Sequence, residues 1–268
     1  MSEHAASSRP VAVVTGASSG IGLELARLLA ADGHDLVLVA RSRAKLSQLA
    51  AELTAAHGAR VRIIAADLGS PDGAAAVVRE LEAAGTQVDV LINNAGLGLF
   101  GEFASTRLDD ELGMLQLNVV ALTALTKQVL AGMVARGRGR ILNVASTAAF
   151  QPGPYMAVYY ATKAYVLSFS EAIAAELEGT GVTVTALCPG PTASGFQAQA
   201  QMEDSKLVRG KKLPTAAEVA AAGYAALKRG KRVVVPGVRN KLLVQSVRFM
   251  PRRMVTATVK RVQGPARA

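Results

Sequence analysis

The sequence has few of the residues that mark secreted or metal-binding proteins. Its 268 residues include one cysteine, three histidines and no tryptophan. A single cysteine excludes a disulfide framework within the chain and suits a reducing compartment. Cys188 lies in an apolar run, which predicts a small core residue. The histidines are not grouped as metal ligands usually are, so we predict no metal site.

Features that would direct the chain to a membrane or out of the cell are also scarce. Residues 1–10 are polar and contain no apolar core of a signal peptide, which argues against secretion. No apolar run approaches the roughly 18 residues that a membrane span requires. Half of the residues are nevertheless apolar, and the length suits one α/β domain. We expect a cytoplasmic protein that is at most peripheral at a membrane.

Short β-branched apolar runs alternate along the chain with segments that favour helix. Strands are predicted at residues 11–14, 35–40, 61–66, 88–92, 140–145, 182–187 and 232–235, and helices at residues 23–31, 43–57, 71–84, 109–136, 155–177 and 215–228. Buried strands separated by helices indicate a mainly parallel sheet. Right-handed crossovers then predict an α/β, doubly wound, seven-stranded sheet with helices on both faces. We predict one catalytic domain over residues 1–237 and a basic amphipathic extension over residues 238–268.

A glycine-rich turn, TGASSGIG at residues 15–22, joins the first predicted strand to the first predicted helix. Gly16 permits a sharp turn, Gly20 lets the backbone approach a pyrophosphate, and Gly22 lets helix and strand pack closely. The helix start offers free N–H groups to phosphates. Three glycines can also form a simple tight loop. The strand and helix around them favour dinucleotide binding.

The end of the second predicted strand indicates which dinucleotide is bound. An acidic residue at this place holds the ribose hydroxyls of NAD, whereas an arginine accommodates the 2′-phosphate of NADP. Here Arg41 follows the strand, with Arg43 and Lys45 close behind and no acid within reach. A basic first helical turn is the alternative, but positive charge there opposes the helix dipole. We predict NADP (NADPH) as the cofactor, in preference to NAD.

Tyr159 and Lys163 are four residues apart on a predicted helix and so share one face. A nearby ammonium favours the phenolate, so we expect Lys163 to lower the Tyr159 pKa and make this phenol a proton donor or acceptor. Ser146 follows the fifth predicted strand, where its hydroxyl can hydrogen-bond a substrate carbonyl. An ordinary surface pair is the alternative for the Tyr and Lys spacing taken alone.

These motifs together resemble the short-chain dehydrogenase/reductase family over roughly residues 8–240. The resemblance rests on the glycine turn, Asp67, the Asn-Asn-Ala-Gly segment at residues 93–96, Asn118, Ser146, the YYATK segment at residues 159–163, and the Pro-Gly pair at residues 189–190. It implies a Rossmann-type fold and a catalytic tetrad of Asn118, Ser146, Tyr159 and Lys163. In that family the serine orients the carbonyl and the tyrosine passes the proton. The lysine lowers the tyrosine pKa and binds the nicotinamide ribose, and the asparagine holds a water molecule.

The resemblance also assigns cofactor contacts along the chain. The family commonly has a threonine after the Pro-Gly pair, a place shared here by Thr192 and Ser194. The residues assigned to cofactor binding are Gly16, Ser18, Ser19, Gly20, Ile21, Gly22, Arg41, Asp67, Leu68, Asn94, Ala95, Gly96, Tyr159, Lys163, Pro189, Gly190 and Thr192. The subgroup it looks most like is bacterial and is similar to hydroxysteroid and long-chain ketoacyl reductases.

Apolar residues follow the strands that should border the substrate. They are Leu97, Leu99, Phe100, Phe150, Tyr155, Met156, Phe196 and Met202. Such a set predicts a hydrophobic ketone or its alcohol as substrate, although several members could simply close the core. We therefore predict an NADP-dependent oxidoreductase. The alternative is a non-catalytic NADP-binding regulator or membrane-associated scaffold.

Positive charge is concentrated near the C-terminus. The net charge is +10, but residues 206–268 hold 16 Lys and Arg against one acid. This asymmetry suggests an anionic partner such as a membrane surface, a phosphorylated ligand or an acidic carrier protein. A solvated basic face is the alternative. Nucleic acid is not predicted, because the tail lacks interleaved aromatic residues and any recognition motif.

The apolar residues of the same tail approach helical spacing and are interrupted at Pro251. Such a segment can lie on an anionic membrane, cover the substrate pocket or contact a second subunit. By family analogy we expect a homodimer or homotetramer.

Overall fold

The computed structural model of the chain describes residues 9–200, 202, 205–206, 210 and 212–264. Its centre is a seven-stranded sheet in which every pairing is parallel and the order is β3-β2-β1-β4-β5-β6-β7. The strands are β1 (Val11–Thr15), β2 (Asp35–Ala40), β3 (Val61–Ala65), β4 (Val90–Asn93), β5 (Gly139–Val144), β6 (Val182–Leu187) and β7 (Val233–Val234). The strand order reverses between β1 and β4, as the doubly wound prediction requires.

Ten α-helices lie around the sheet in the described part of the chain. They are α1 (Gly20–Ala31), α2 (Arg43–His57), α3 (Gly73–Ala83), α4 (Leu108–Leu115), α5 (Leu122–Ala135), α6 (Ala157–Glu176), α7 (Phe196–Gln199), α8 (Ala216–Lys228), α9 (Val238–Ser246) and α10 (Arg252–Gln263). Successive strand residues point to opposite faces, so Val14 packs with α1, α2 and α8 while Val13 packs with α3, α5 and α6. Two apolar cores therefore enclose the sheet, as predicted.

Several predicted helix boundaries need correction. Helix α1 begins at Gly20, three residues before the predicted start, because the glycine turn itself leads into the first helical turn. Helix α6 begins at Ala157, two residues later than predicted. Tyr155 has a positive φ of 68° and Met156 is not helical, so neither can continue the helix.

The predicted helix over residues 109–136 is interrupted near its centre. A π-helical segment, Gln116–Ala121, separates α4 from α5. Such segments carry one extra residue per turn and occur frequently at functional sites. Asn118 lies in this segment and is buried.

The combined stretch Leu108–Ala135 is the one helix in the described chain long and apolar enough to cross a membrane, with 39% of its apolar window buried. By this measure the prediction that no stretch reaches that length is wrong, because a helix can be sufficiently apolar without being an uninterrupted apolar run. Core helices of soluble proteins share this length and composition. Leu125 and Met133 pack here in the core beneath the sheet.

A chain of buried polar side chains connects two central strands to two helices. Asn93 Nδ2 donates to Thr126 Oγ1 and to Asn143 Oδ1, each at 2.9 Å. Asn143 Nδ2 in turn donates to Ser170 Oγ at 2.9 Å. The chain therefore links β4 and β5 to α5 and to α6, which pack on the same face of the sheet.

The C-terminal segment packs beside the carboxyl ends of the strands. Val255 and Val259 of α10 are buried in a cluster that includes Met156, Tyr159 and Tyr160. Helix α9 ends before a 3₁₀ turn, Val247–Phe249, and Pro251 precedes the restart at α10, as the sequence predicted.

Candidate active site

A cavity of about 570 Å³ opens at the carboxyl ends of the strands. It brings together most of the predicted site residues: Gly16, Ser18, Ser19, Gly20, Ile21, Arg41, Asp67, Leu68, Asn94, Ala95, Gly96, Ser146, Tyr159, Lys163, Pro189, Gly190 and Thr192. Gly22 and Asn118 support this wall from behind without lining it. The arrangement follows from the parallel sheet, because all its strands end on the same edge.

Close packing explains the glycines of the first turn. Gly16 has a φ of +65°, and a side chain there would also come within 2.7 Å of Asn94 Nδ2. A Cβ at Gly22 would lie 2.4 Å from the same nitrogen and 2.5 Å from the Gly16 carbonyl oxygen. The turn can therefore fold against the loop after β4 only when both positions lack a side chain.

Asn94 and Thr15 hold this turn in place. Asn94 Nδ2 donates to the carbonyl oxygens of Thr15 at 3.0 Å and Gly16 at 3.2 Å. Thr15 Oγ1 accepts from the backbone N–H groups of Asn94 and Ala95, each at 3.0 Å. Asn94 thus acts as a positioning residue for the glycine turn. The sequence did not single out Thr15 for this role.

The start of α1 and one rim of the cavity suit a dinucleotide that carries an additional phosphate. The helix begins next to Ser19, which makes no side-chain cap, so the first N–H groups face the cavity without a side-chain acceptor. Arg41, Ser42 and Lys45 line the cavity beyond β2. The carboxylate of Asp67 accepts from the Gly69 N–H at 2.9 Å within its own turn. The hydrogen-bond donors at this rim, which are the first N–H groups of α1, the Arg41 guanidinium and the Lys45 ammonium, therefore fit phosphate groups.

Tyr159 and Lys163 share the inner face of α6 as predicted, but their pKa values differ from the expectation. Lys163 Nζ donates to the Val144 carbonyl oxygen at 2.8 Å and lies 5.7 Å from the centre of the Tyr159 ring. Burial raises the pKa of Tyr159 to about 12, although the nearby hydroxyl of Ser146 lowers it in part. Burial also lowers the pKa of Lys163 to about 8. Burial therefore raises the Tyr159 pKa, contrary to the expectation that Lys163 would lower it.

Ser146 sits between the strand ends and the reactive phenol. Its Oγ donates to the Pro189 carbonyl oxygen at 3.3 Å and accepts from the Ala148 N–H at 3.1 Å. The first of these bonds is long, so the hydroxyl hydrogen can turn toward a substrate oxygen at small cost. The loop after β6 thus orients the serine, which explains why the Pro-Gly pair belongs to the site.

Asn118 connects the loop after β4 to α6. Its amide donates to the Leu97 carbonyl oxygen at 2.9 Å and to Thr162 Oγ1 at 3.0 Å, and its Oδ1 accepts from the Leu97 N–H at 2.9 Å. A Cβ at Gly96 would lie 3.3 Å from Asn118 Oδ1 and 3.4 Å from Lys163 Nζ. The missing side chain at Gly96 therefore allows Asn118 and Lys163 to approach the same stretch of backbone.

The apolar end of the cavity contains half of the residues predicted for it. Leu97, Met156, Phe196 and Met202 line it, and the ring centre of Phe196 lies 5.3 Å from that of Tyr159. The other four predicted residues do not line the cavity: Leu99, Phe100, Phe150 and Tyr155.

Each of these four residues packs elsewhere. The prediction that Phe150 lines the pocket is wrong, because the 3₁₀ turn at Thr147–Phe150 directs its ring toward the core beside Val166 and Leu167. Leu99 and Phe100 pack behind the apolar wall. Tyr155 lies against Phe100, with their ring centres 5.9 Å apart.

Cys188, predicted as a core residue, is fully buried, and burial raises the pKa of its thiol to about 12. It stays a thiol at neutral pH and takes no part in the site.

Comparison with known proteins identifies this arrangement. The family model described as short chain dehydrogenase matches residues 10–205. The chain belongs to the short-chain dehydrogenase family. It is an oxidoreductase that acts on C=O and CH–OH groups.

Individual members of the family resemble the chain over most of its length. A curated relative, the ketoacyl reductase HetN of Nostoc sp., is 34% identical over 85% of this chain and 75% of its own. A solved short-chain dehydrogenase from Sphingobium yanoikuyae in complex with NADPH is 34% identical, with a TM-score of 0.81 over 90% of this chain and 94% of that one. A bulky-bulky ketone specific alcohol dehydrogenase from Comamonas testosteroni is 30% identical, with a TM-score of 0.77 over 90% of this chain and 92% of that one.

One connection in this short-chain dehydrogenase lies beyond any motif in the sequence. The hydroxyl of Tyr160, next to the reactive Tyr159, donates a hydrogen bond to the buried side-chain oxygen of Gln263 on α10. The Gln263 carbonyl oxygen accepts from Ser205 Oγ at 2.8 Å. No local signal could have revealed this contact, because 103 positions separate the two partners.

Proposed function

We propose that this short-chain dehydrogenase uses NADPH to reduce the carbonyl group of a hydrophobic substrate and catalyses the reverse oxidation with NADP. The observation that carries the proposal is the buried Tyr159 hydroxyl, which lies between Ser146 and an apolar wall formed by Met156 and Phe196. When bound, the nicotinamide supplies or accepts the hydride.

The protonation states of the site favour a proton donor at Tyr159. With its pKa raised to about 12, this phenol is protonated at neutral pH and can donate to the oxygen of a substrate carbonyl. Ser146 can donate a second hydrogen bond to the same oxygen, which stabilises the charge that develops there. Lys163, whose pKa is lowered to about 8, titrates close to neutral pH and can return a proton toward the phenol. Asn118 positions the loop after β4 and the α6 backbone around these groups.

The preference for NADP rests on the rim beyond β2. Arg41 and Lys45 line the cavity there, and no acid follows β2 before α2 begins. A guanidinium binds phosphate oxygens in a bidentate manner, whereas a carboxylate would repel them. The NADPH complex of the Sphingobium yanoikuyae relative supports the same choice.

The apolar end of the cavity supports a substrate with a large apolar group next to its carbonyl. We propose 3-oxoacyl compounds and bulky ketones as the first classes to test, because relatives carry the names ketoacyl reductase and bulky-bulky ketone specific alcohol dehydrogenase. A non-catalytic role is not favoured. A binding protein has no need to bury Lys163 beside a reactive phenol at the cost of desolvating its charge.

A substrate panel tests this proposal directly. NADPH oxidation would be followed at several chain lengths of 3-oxoacyl thioester, with bulky ketones, and with a polar keto sugar as the contrast. We expect turnover to increase with apolar chain length and to fall by several orders of magnitude in Tyr159→Phe while NADPH still binds. Tyr165→Phe, on the exposed side of the same helix, is the matched control. Unchanged turnover in Tyr159→Phe would refute the catalytic assignment, and a preference for the sugar would refute the substrate class.

We also propose that the protein is a homo-oligomer. Leu108, Leu112, Leu115 and Val120 are exposed along α4 and the π-helical segment, and exposed apolar residues so close together commonly mark an interface. Light scattering coupled to size exclusion would distinguish a dimer or tetramer from a monomer.

A further inference from the structure

The C-terminal helices carry a charged and apolar surface that the proposed reaction does not use. Residues 238–264 contain seven Lys and Arg and no acid. All seven cations are exposed, and within the described part of the chain none forms an ion pair. Six of the 13 large exposed apolar side chains also belong to this segment: Val238, Leu242, Leu243, Phe249, Met254 and Val262.

Burial fixes which side of each helix faces outward. On α9, Val244 points into the protein, whereas Val238 and Leu242 are exposed and lie one helical turn apart on the opposite side. On α10, the buried positions Val255 and Val259 point inward.

The outward side of α10 is basic. At about 100° per residue, Arg253 and Arg261 lie on the side away from the buried stripe of this helix, and Lys260 lies on its flank. Outer helix faces in a soluble protein are usually polar, but here apolar and cationic side chains alternate.

Phe249 is the most exposed large apolar residue of the described chain, at 86%. It ends the 3₁₀ turn between α9 and α10, with Arg248 before it and Arg252 and Arg253 shortly after it. An aromatic ring at a turn, surrounded by cations, can enter the apolar part of a bilayer while the cations remain among lipid phosphates.

We propose that this C-terminal surface, defined as the outer faces of α9 and α10 with Phe249 between them, binds anionic lipid membranes. Its chemistry differs from that of the other exposed apolar surface, on α4, whose first turn carries Asp109, Asp110 and Glu111 and would be repelled by anionic lipid. Charge therefore assigns the lipid to the C-terminal surface. Membrane binding can be measured without turnover, so this proposal stands or falls independently of the proposed reaction.

Flotation of the full chain with vesicles tests the proposal. We expect the protein to float with vesicles of phosphatidylcholine and phosphatidylglycerol and to remain in solution with phosphatidylcholine alone. Arg248→Gln combined with Arg253→Gln should weaken binding to the anionic vesicles by on the order of tenfold, since each cation contributes near a charged surface. Leu242→Ser combined with Phe249→Ser should weaken it by a similar factor.

The controls separate membrane binding from general stickiness. Phe103→Ser combined with Val134→Ser removes exposed apolar groups outside both proposed surfaces, at 65% and 39% exposure, and should leave flotation unchanged. Circular dichroism would establish that each variant folds. Equal flotation with both vesicle types, or no loss in Leu242→Ser with Phe249→Ser, would overturn the proposal. Binding to soluble polyglutamate with no binding to anionic vesicles would overturn it in favour of an acidic protein partner.

Discussion

Replacing Arg41 by alanine should selectively weaken the binding of NADPH. Arg41 is exposed at the cavity rim, so its interaction with a phosphate is partly screened by solvent. A hydrogen bond to a charged group contributes about 1.5–3 kcal/mol when well formed. For an exposed guanidinium we take the lower end, about 1.5 kcal/mol, which corresponds to roughly tenfold in the dissociation constant. NADH lacks the 2′-phosphate, so its affinity should change little.

Isothermal calorimetry with both nucleotides measures this difference directly. Arg43→Ala is the matched control, because Arg43 lies two residues further along, is exposed and does not line the cavity. We expect Arg41→Ala to lose about tenfold in NADPH affinity, with Arg43→Ala close to the unmodified protein. An equal loss for NADH and NADPH in Arg41→Ala would show that the residue supports the fold of the site. An unchanged NADPH affinity would place the phosphate elsewhere.

Three further predictions concern stability. Gly22→Ala should lower the free energy of unfolding by about 1–3 kcal/mol, because a Cβ at this position has no space. Gly113→Ala is the control and should not lower it, because nothing lies within 4 Å of a Cβ there. If chemical denaturation showed the same loss of stability in both variants, close packing at Gly22 would not be the cause. Burial lowers the pKa of Lys163 from 10.5 to about 8. Between pH 8 and 10.5, Lys163 is therefore protonated in the unfolded chain but largely neutral in the folded protein. The stability of the unmodified protein relative to Lys163→Met should therefore rise from pH 8 to 10, by up to about 1.4 kcal/mol per pH unit, and a flat difference would contradict the burial of a charge. Gln263→Ala should lower the free energy of unfolding by about 1–3 kcal/mol, because it leaves the Tyr160 hydroxyl unpaired. In denaturation experiments, adding Tyr160→Phe to this variant should recover part of the lost stability. Additive losses in the double variant would mean that the two side chains do not interact.

The strands and the cofactor turn could be predicted from sequence because their signals are local. A buried parallel strand is a short β-branched run, and the glycine turn follows the first of these runs directly. The convergence of the strand ends follows from topology, which made Ser146 and Asn94 predictable as neighbours. Tyr159 and Lys163 needed only the helical repeat to be placed on one face.

What could not be predicted depends on contacts between distant parts of the chain. The π-helical segment at Asn118 leaves no clear pattern in the sequence, since one extra residue per turn changes spacing only locally. The direction of the Tyr159 pKa shift required the depth of burial, which α6, α7 and α10 create together. The sequence predicts Phe150 as a pocket residue because it follows β5, whereas a single 3₁₀ turn packs its ring against the core, partly buried.

The polar chain beneath the active site has a consequence for how the strands find each other. Asn93 faces Asn143 in the pairing of β4 with β5, and the buried Asn93 Nδ2 donates a hydrogen bond to Asn143 Oδ1. If β5 slipped by one residue, Leu142 or Val144 would stand opposite Asn93, and its amide would lose a partner at about 1–3 kcal/mol. Apolar strands alone distinguish poorly between neighbouring alignments, because valine and leucine fit either one. The two asparagines therefore favour the one alignment that brings the ends of both strands level, and with them the loops that hold Asn94 and Ser146.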